Sequence, residues 1–337
     1  MDRPVQSESA IAIEPIATPP VAGARGSERW FARFAAFTLA YLLFVILFGA
    51  WVRITGSGAG CGDHWPTCGG EIVPRTPSTQ TLIEYTHRIT SGMLGLMALA
   101  LPLWAFRLYP RRHPARRYAL ATFVLVMVEA GIGAGLVLKQ LVASDASQAR
   151  AVAVALHLTN TLLLTGAAAL TLAFARAGVT AEARLAPAGG VGAGQLPARS
   201  GGVLLVALLI GLVLVAASGA VTALGDTLFP VHAAGAAPRD HFLVQLRVLH
   251  PLLACFMVCA SVLGAVRFAA VPRCRPWALG LGALAGAQLV FGALNIGLSA
   301  PGWLQLVHLL GAQLTWICAV LLTDAWRHPA RRDLALP

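Results

Sequence analysis

The sequence predicts an all-α fold, a polytopic membrane protein whose eight transmembrane helices form two pseudo-symmetric four-helix bundles. Three observations predict it. Hydrophobic residues make up 57% of the 337 residues and charged residues 12%, about half the charged share of a soluble domain. Eight apolar stretches are each long enough to cross roughly 30 Å of hydrocarbon as a helix. Short motifs recur at matching places in the two halves of the chain. A surface so poor in charge excludes a soluble enzyme, a disordered chain and a nucleic-acid-binding domain, even though the net charge is +11 and the pI about 10.4.

Residues 1–33 are rich in Pro, Ala, Gly and polar side chains and lack the apolar run of a signal peptide, so a retained, disordered cytoplasmic tail is expected there. The first half, 34–175, holds the predicted spans Phe34–Val52, Thr86–Phe106, Tyr118–Leu138 and Val152–Ala175. An Ala/Gly/Pro-rich cytoplasmic linker covers 176–201. The second half, 202–324, holds Gly202–Leu224, Leu243–Val266, Trp277–Leu298 and Trp303–Thr323, and a second cytoplasmic tail covers 325–337.

Orientation follows from Arg and Lys. With the N-terminus in the cytoplasm, eighteen basic residues fall on the inside and five on the outside, and Arg88 and Arg247 lie within spans. That excess sets both termini inside. The repeat is read from Gly49-Ala50 at the end of the first span and Gly219-Ala220 at the end of the fifth. It is read again from Glu129 with Gly133 in the third and Gln288 with Gly292 in the seventh.

Four histidines lie in spans: His87, His157, His250 and His308, one near the outer start of each even-numbered span. At 1.5 Å rise per residue all four sit on the order of 2–10 Å deep. A single such His would be an interhelical hydrogen bond. Four at one depth, two in each half, form two facing pairs. Facing imidazoles in a four-helix bundle are axial ligands for haem iron, whereas zinc would ask for four tetrahedral ligands.

The pairs differ in their neighbours. Glu84 stands three residues before His87, and Arg247 three before His250, a spacing that shares a helical face. A guanidinium suits a haem propionate. A carboxylate would repel one, and reads as a proton acceptor or a base that positions water. The second half is therefore expected to hold a resident cofactor and the first a reactive pocket. Cys61 and Cys68 flank a Pro-containing turn in the first outer loop, where a disulfide is expected, with a metal site as the alternative. Glu129, in mid-span, either faces a polar cavity or is packing held by a hydrogen bond.

These motifs resemble the haem A synthase family. The likeness rests on Val52-Arg-Ile-Thr-Gly-Ser-Gly58, Cys61-x-x-His-Trp-Pro-x-Cys68, Glu84-Tyr-Thr-His87-Arg88, Gln288-Leu-Val-x-Gly-x-Leu-Asn295 and Val307-His308-Leu-Leu, and spans about residues 34–324. The resemblance implies an oxidoreductase that converts haem O to haem A by oxidising a ring methyl to a formyl group, for cytochrome oxidase assembly. It implies haem b on His250 and His308 with Arg247 beside it. Substrate haem O would bind near His87 and His157, with Glu84 catalytic and Cys61 bonded to Cys68. A second Cys pair found in many bacterial members is missing between Gly225 and Phe242. The expected partners are haem O, the lipid membrane of the cell, a haem O synthase, an electron donor and a further copy of the chain, with no nucleic acid. Two other functions are weighed, a di-haem b-type electron carrier and a haem transporter or chaperone. A carboxylate in one pocket only favours the enzyme.

Overall fold

A peptide group inside hydrocarbon has no water to bond, so a spanning segment satisfies its amides within its own helix. The computed structural model follows that rule across residues 22–177, 198–230 and 240–328, the residues the structure describes. Its helices are α1 (Ala22–Ile54), α2 (Thr79–Leu108), α3 (Pro114–Leu138), α4 (Gln148–Ala177), α5 (Ala198–Leu228), the short α6 (Phe242–Gln245), α7 (Leu249–Ala269), α8 (Arg275–Gly297) and α9 (Gly302–Arg327). A 3-10 turn, Leu246–Val248, joins α6 to α7. Eight of the described helical segments are long and apolar enough to cross a membrane, with α6 and α7 forming one of them. All eight predicted spans are present.

Several boundaries differ from expectation. α1 begins at Ala22 rather than Phe34, so residues 22–33 are helix and not tail. The reason is packing: Phe31 is fully buried and meets Trp104 and Tyr109 edge-on, with ring centroids 5.7 and 5.5 Å away. α2 begins at Thr79 because Ser78 caps it, its Oγ accepting the Thr81 amide at 3.1 Å. α4 runs on to Ala177 and α9 to Arg327. Residues 1–21, most of the predicted linker (178–197) and 329–337 lie outside the described residues.

α1, α2, α3 and α4 close a ring in which each helix packs on the next and α4 returns to α1; α5, α7, α8 and α9 close a second ring in the same order. Apolar clusters fill the half of each ring away from the Cys61–Cys68 loop. Leu101, Ala105, Ala119 and Phe174 do so in the first ring, and Leu205, Phe268, Leu281 and Leu322 in the second. The lipid-facing sides stay apolar, with Phe44, Leu96, Phe256 and Leu263 exposed.

The rings meet along α4–α5, α4–α9 and α1–α9. Mid-interface, Trp316 donates its indole N–H to the Leu162 carbonyl at 2.6 Å. It lies over Gly166, where a Cβ would come within 3.1 Å of the indole nitrogen. At the loop end, Arg53 on α1 donates to the Ala223 carbonyl at 2.8 Å, to the Thr227 hydroxyl on α5, and to Gln305 Oε1 on α9 at 2.9 Å. One guanidinium thus ties the first ring to two helices of the second.

Arg53→Met keeps the aliphatic stem and removes the fork. It should lower stability by about 2 kcal/mol, the order of a charged hydrogen-bond set, read as a drop in thermal midpoint in detergent. An unchanged midpoint would assign the joint to the Trp316 contact.

Candidate functional site

An imidazole in a helix bundle needs space as well as a partner. Each of the four histidines faces a glycine of a neighbouring helix. A Cβ on Gly49 of α1 would come within 3.1 Å of His87 Cε1, and on Gly133 of α3 within 4.0 Å of His157 Cε1. A Cβ on Gly219 of α5 would come within 2.9 Å of His250 Cε1, and on Gly292 of α8 within 3.7 Å of His308 Cε1. At Gly219 and Gly49 a side chain would force the ring aside. These four glycines are the positions at which the sequence motifs recur, and room for the ring is the physical content of that recurrence.

The second ring brings His250 and His308 together, with centroids 6.4 Å apart and ring planes perpendicular at 89°. Two metal–imidazole bonds of about 2 Å, with each nitrogen roughly 1 Å from its ring centre, need about 6 Å. The spacing therefore fits one iron between the two rings. Nδ1 of His250 lies 3.1 Å from the Val215 carbonyl and 3.2 Å from Ser218 Oγ, which leaves Nε2 as the nitrogen for a metal. Nδ1 of His308 is buried with no hydrogen-bond partner.

Arg247 is placed differently from the expectation. Its Nε pairs with Asp226 at 2.9 Å, and its Nη2 donates to the carbonyls of Gly225 and Phe229 at 2.8 and 2.5 Å. Arg247 lies in the 3-10 turn, where side chains three residues apart eclipse, so it keeps the side of the helix that carries His250 while its Nε and Nη2 turn to α5. Arg247 anchors the end of α5 instead of offering those nitrogens to the pocket.

The first ring carries His87 on α2 and His157 on α4, each set against the glycine of the preceding helix. Phe48 meets the His87 ring edge-on at 5.6 Å, and His87 Nδ1 is buried without a partner. Glu129 reaches across from α3, its Oε1 3.5 Å from His157 Nδ1. Asn160 donates to Glu129 Oε2 at 2.6 Å and to the Leu125 carbonyl at 3.0 Å. The Thr161 hydroxyl touches Glu129 Oε1. Asn160 and Thr161 were not legible as partners in the sequence, because pairing across α3 and α4 depends on their packing.

Above this pair lies the loop. Cys61 and Cys68 are joined by a disulfide. Gly60 sits so close to α2 that a Cβ would fall 2.5 Å from the Gln80 backbone, and its carbonyl accepts the Thr81 hydroxyl at 2.7 Å. Glu84 is 3% exposed. Its Oε2 accepts the Cys61 amide at 2.8 Å and its Oε1 pairs with Arg88. Arg88 in turn donates to the carbonyls of His64 at 2.7 Å and Thr67 at 2.6 Å. The earlier start of α2 puts Glu84 on the helix one turn before His87, and from there it also clamps the loop. The Glu84-x-x-x-Arg88 spacing, an i, i+4 pair on one helix, was the signal that could have announced the clamp.

The fold and these sites define a polytopic helical membrane protein built around two pairs of intramembrane histidines. The described residues contain no cluster of three or more His, Cys, Asp and Glu of the kind that cages a lone metal ion. The chain belongs to the COX15-CtaA family of cytochrome oxidase assembly proteins, whose family model matches residues 32–320. It is 45% identical over 308 residues to a protein of Thermus thermophilus named protoheme IX farnesyltransferase, a match covering 87% of this chain and 48% of that protein. The chain therefore spans about half the length of that relative. It is also similar to the heme A synthase of Exiguobacterium sibiricum, 39% identical over 107 residues, covering 32% of this chain and 36% of that one. With the heme A synthase of Alkalihalophilus pseudofirmus it shares 43% over 96 residues, 28% and 32% of the respective chains.

Glu84→Gln leaves Arg88 without its counter-charge and offers the two donors a single acceptor. Breaking a buried pair costs roughly 3–5 kcal/mol, enough to loosen the loop. Trypsin should then cut at the exposed Arg75 severalfold faster than in the unaltered protein. Equal cleavage would show that the disulfide alone holds the loop.

Proposed function

We propose that this protein is a haem A synthase, which oxidises a ring methyl of haem O to a formyl group in the first-ring pocket. The observation that carries the reading is the asymmetry of two similar sites. One pair of imidazoles stands at 6.4 Å with a neutral amide and carbonyls around it. The other lies beneath a disulfide-closed loop, with Glu84 and Glu129 close by. An electron carrier would have no use for that difference, and a transporter would have no use for the loop clamp.

In this reading His250 and His308 hold a resident haem b, which supplies reversible one-electron chemistry when bound. His87 and His157 hold the substrate's iron and fix the porphyrin relative to the loop. With water as the source of the oxygen atom, taking the methyl to a formyl group removes four electrons to an external acceptor and releases four protons, and Glu84 is placed to accept one of them. A carboxylate has about four acceptor positions, and the Cys61 amide and Arg88 use two of them. The Cys61–Cys68 loop keeps bulk water off the reacting edge. Both termini are cytoplasmic, from the eighteen-to-five distribution of basic residues, which puts the loop on the outer face of the cell membrane.

The name of the Thermus relative raises prenyl transfer as a second activity. Transfer from a prenyl diphosphate calls for paired carboxylates on Mg2+. Each Asp in this chain stands at least nine residues from the next, so no such pair is close in sequence. We assign farnesylation to the half of that relative that this chain does not match. The assignment makes a haem O synthase the natural supplier of substrate.

The test is co-expression with a source of haem O, then extraction and chromatography of the pigments. Haem A should form in proportion to the protein. Haem b alone, at two per chain, would replace the enzyme with an electron carrier. His250→Ala should remove one low-spin haem b signal while the chain still inserts in the membrane; a full haem b content in that variant would refute the ligand assignment.

A further inference from the structure

Glu129 is the one carboxylate placed deep in a span of the first ring, and a charge at that depth is costly unless it has a task. The second ring has Gln288 at the corresponding place, four residues before Gly292 as Glu129 is four before Gly133. The two side chains act on different groups. Gln288 donates its Nε2 to the backbone carbonyl of His308 at 3.0 Å and leaves the buried Nδ1 of that ring unbonded. Glu129 aims Oε1 at the ring nitrogen itself, 3.5 Å from Nδ1 of His157, which has no hydrogen-bond partner at ordinary length.

The carboxylate is held there by its own neighbours. Asn160 uses both amide hydrogens, one on Glu129 Oε2 at 2.6 Å and one on the Leu125 carbonyl at 3.0 Å. Thr161 contacts Oε1 and also the His157 carbonyl, at 2.9 Å, so its single hydrogen serves one of them at a time. Gly133, on the same face of α3 one turn on, brings the ring against α3. A packing role needs none of this, since an amide fills the same place in the second ring.

We propose that Glu129 is a positioning residue that accepts the Nδ1 proton of His157, fixing that ring to present Nε2 to iron as a strong electron donor. The proposal rests on the reading of His87 and His157 as ligands of the substrate's iron. A metal-bound imidazole that donates its other N–H to a carboxylate is held in one tautomer and made more basic. A more basic axial ligand stabilises oxidised iron, so the first site should have a lower reduction potential than it would with a neutral partner. The device gives two bis-imidazole sites of one fold different affinities for electrons, with His157 strengthened and His308 not.

The experiment uses the full chain in detergent with haemin as the probe, followed by spectroelectrochemical titration and electron paramagnetic resonance. The unaltered protein should show two low-spin haems. In Glu129→Gln the first-site haem should move to a higher midpoint potential with altered g-values, the second-site haem should stay where it was, and first-site affinity should fall roughly 10- to 100-fold. Asn160→Ala keeps the carboxylate but frees it, and should give a smaller shift in the same direction. That second variant keeps the test readable if Glu129→Gln binds haem too weakly to titrate. Two bound haems with unchanged potentials and g-values in both variants would overturn the role of Glu129 and leave the functional reading intact. A single haem in the unaltered protein, lost in His250→Ala and kept in His157→Ala, would overturn the first-site reading and this proposal with it.

Discussion

The approach of a glycine on one helix to an imidazole on the next is the contact on which the rest of this structure depends. A histidine ring in hydrocarbon must be matched in volume and in polarity, and any side chain at Gly49 or Gly219 would occupy the ring's place. Four repetitions of the contact fix which helices are neighbours, since each pairs a helix with the one that follows it in its ring. They also fix the height of the sites. Each glycine lies near the loop end of its helix, so the polar pockets share that end, and the apolar clusters around Phe31 and Phe268 take the other. The segregation keeps the costly groups near the membrane surface and leaves the deeper layers to close packing.

Upon that common plan the two rings diverge through a few charged side chains. In the first, Glu84 and Arg88 pair within α2 and reach up to the loop, so the loop and the His87 helix move together. In the second, Asp226 and Arg247 pair between α5 and the 3-10 turn ahead of α7. Both pairs are partly buried, and a pair of that kind adds little net stability while making removal of either partner expensive. Their value is geometric: one fixes a cover over a pocket, the other fixes the entry of the helix that carries His250.

The sequence made the helices, the four histidines and the disulfide legible, because each depends on local composition or on spacing along a single helix. It missed where α1 and α2 begin. Phe31 extends α1 through contacts with Trp104 and Tyr109, which are remote in sequence, and the Ser78 cap competes with a polar stretch that reads as loop. The groups that engage Arg247, the Asp226 carboxylate and the Gly225 and Phe229 carbonyls, lie some twenty residues away at the end of α5 and leave no mark in the sequence around Arg247. Glu84 fell just ahead of the predicted span at Thr86 and lies inside α2, and its loop partner, the Cys61 amide, is a backbone group that leaves no mark in the residue pattern. Arg53, the tie between rings, looked like an ordinary basic residue at a span end.

The ring-to-ring interface bears on the proposed function of the two sites. His157 and Leu162 lie on α4, and His308 and Trp316 on α9, so the hydrogen bond from the Trp316 indole to the Leu162 carbonyl joins two helices that each carry one histidine of a pair. Gly166 lets the indole lie against α4 with no side chain between. The bond is short and buried, and Arg53 braces the same interface from the loop end. Electron transfer between two redox centres depends steeply on their separation, so a protein that passes electrons between its halves gains from helices that cannot slide. A transporter would need the opposite, an interface able to rock about a binding site. Polar contacts at two heights oppose that motion, and the joint they make fits the proposed function, in which two sites work at a fixed distance, better than it fits a transporter.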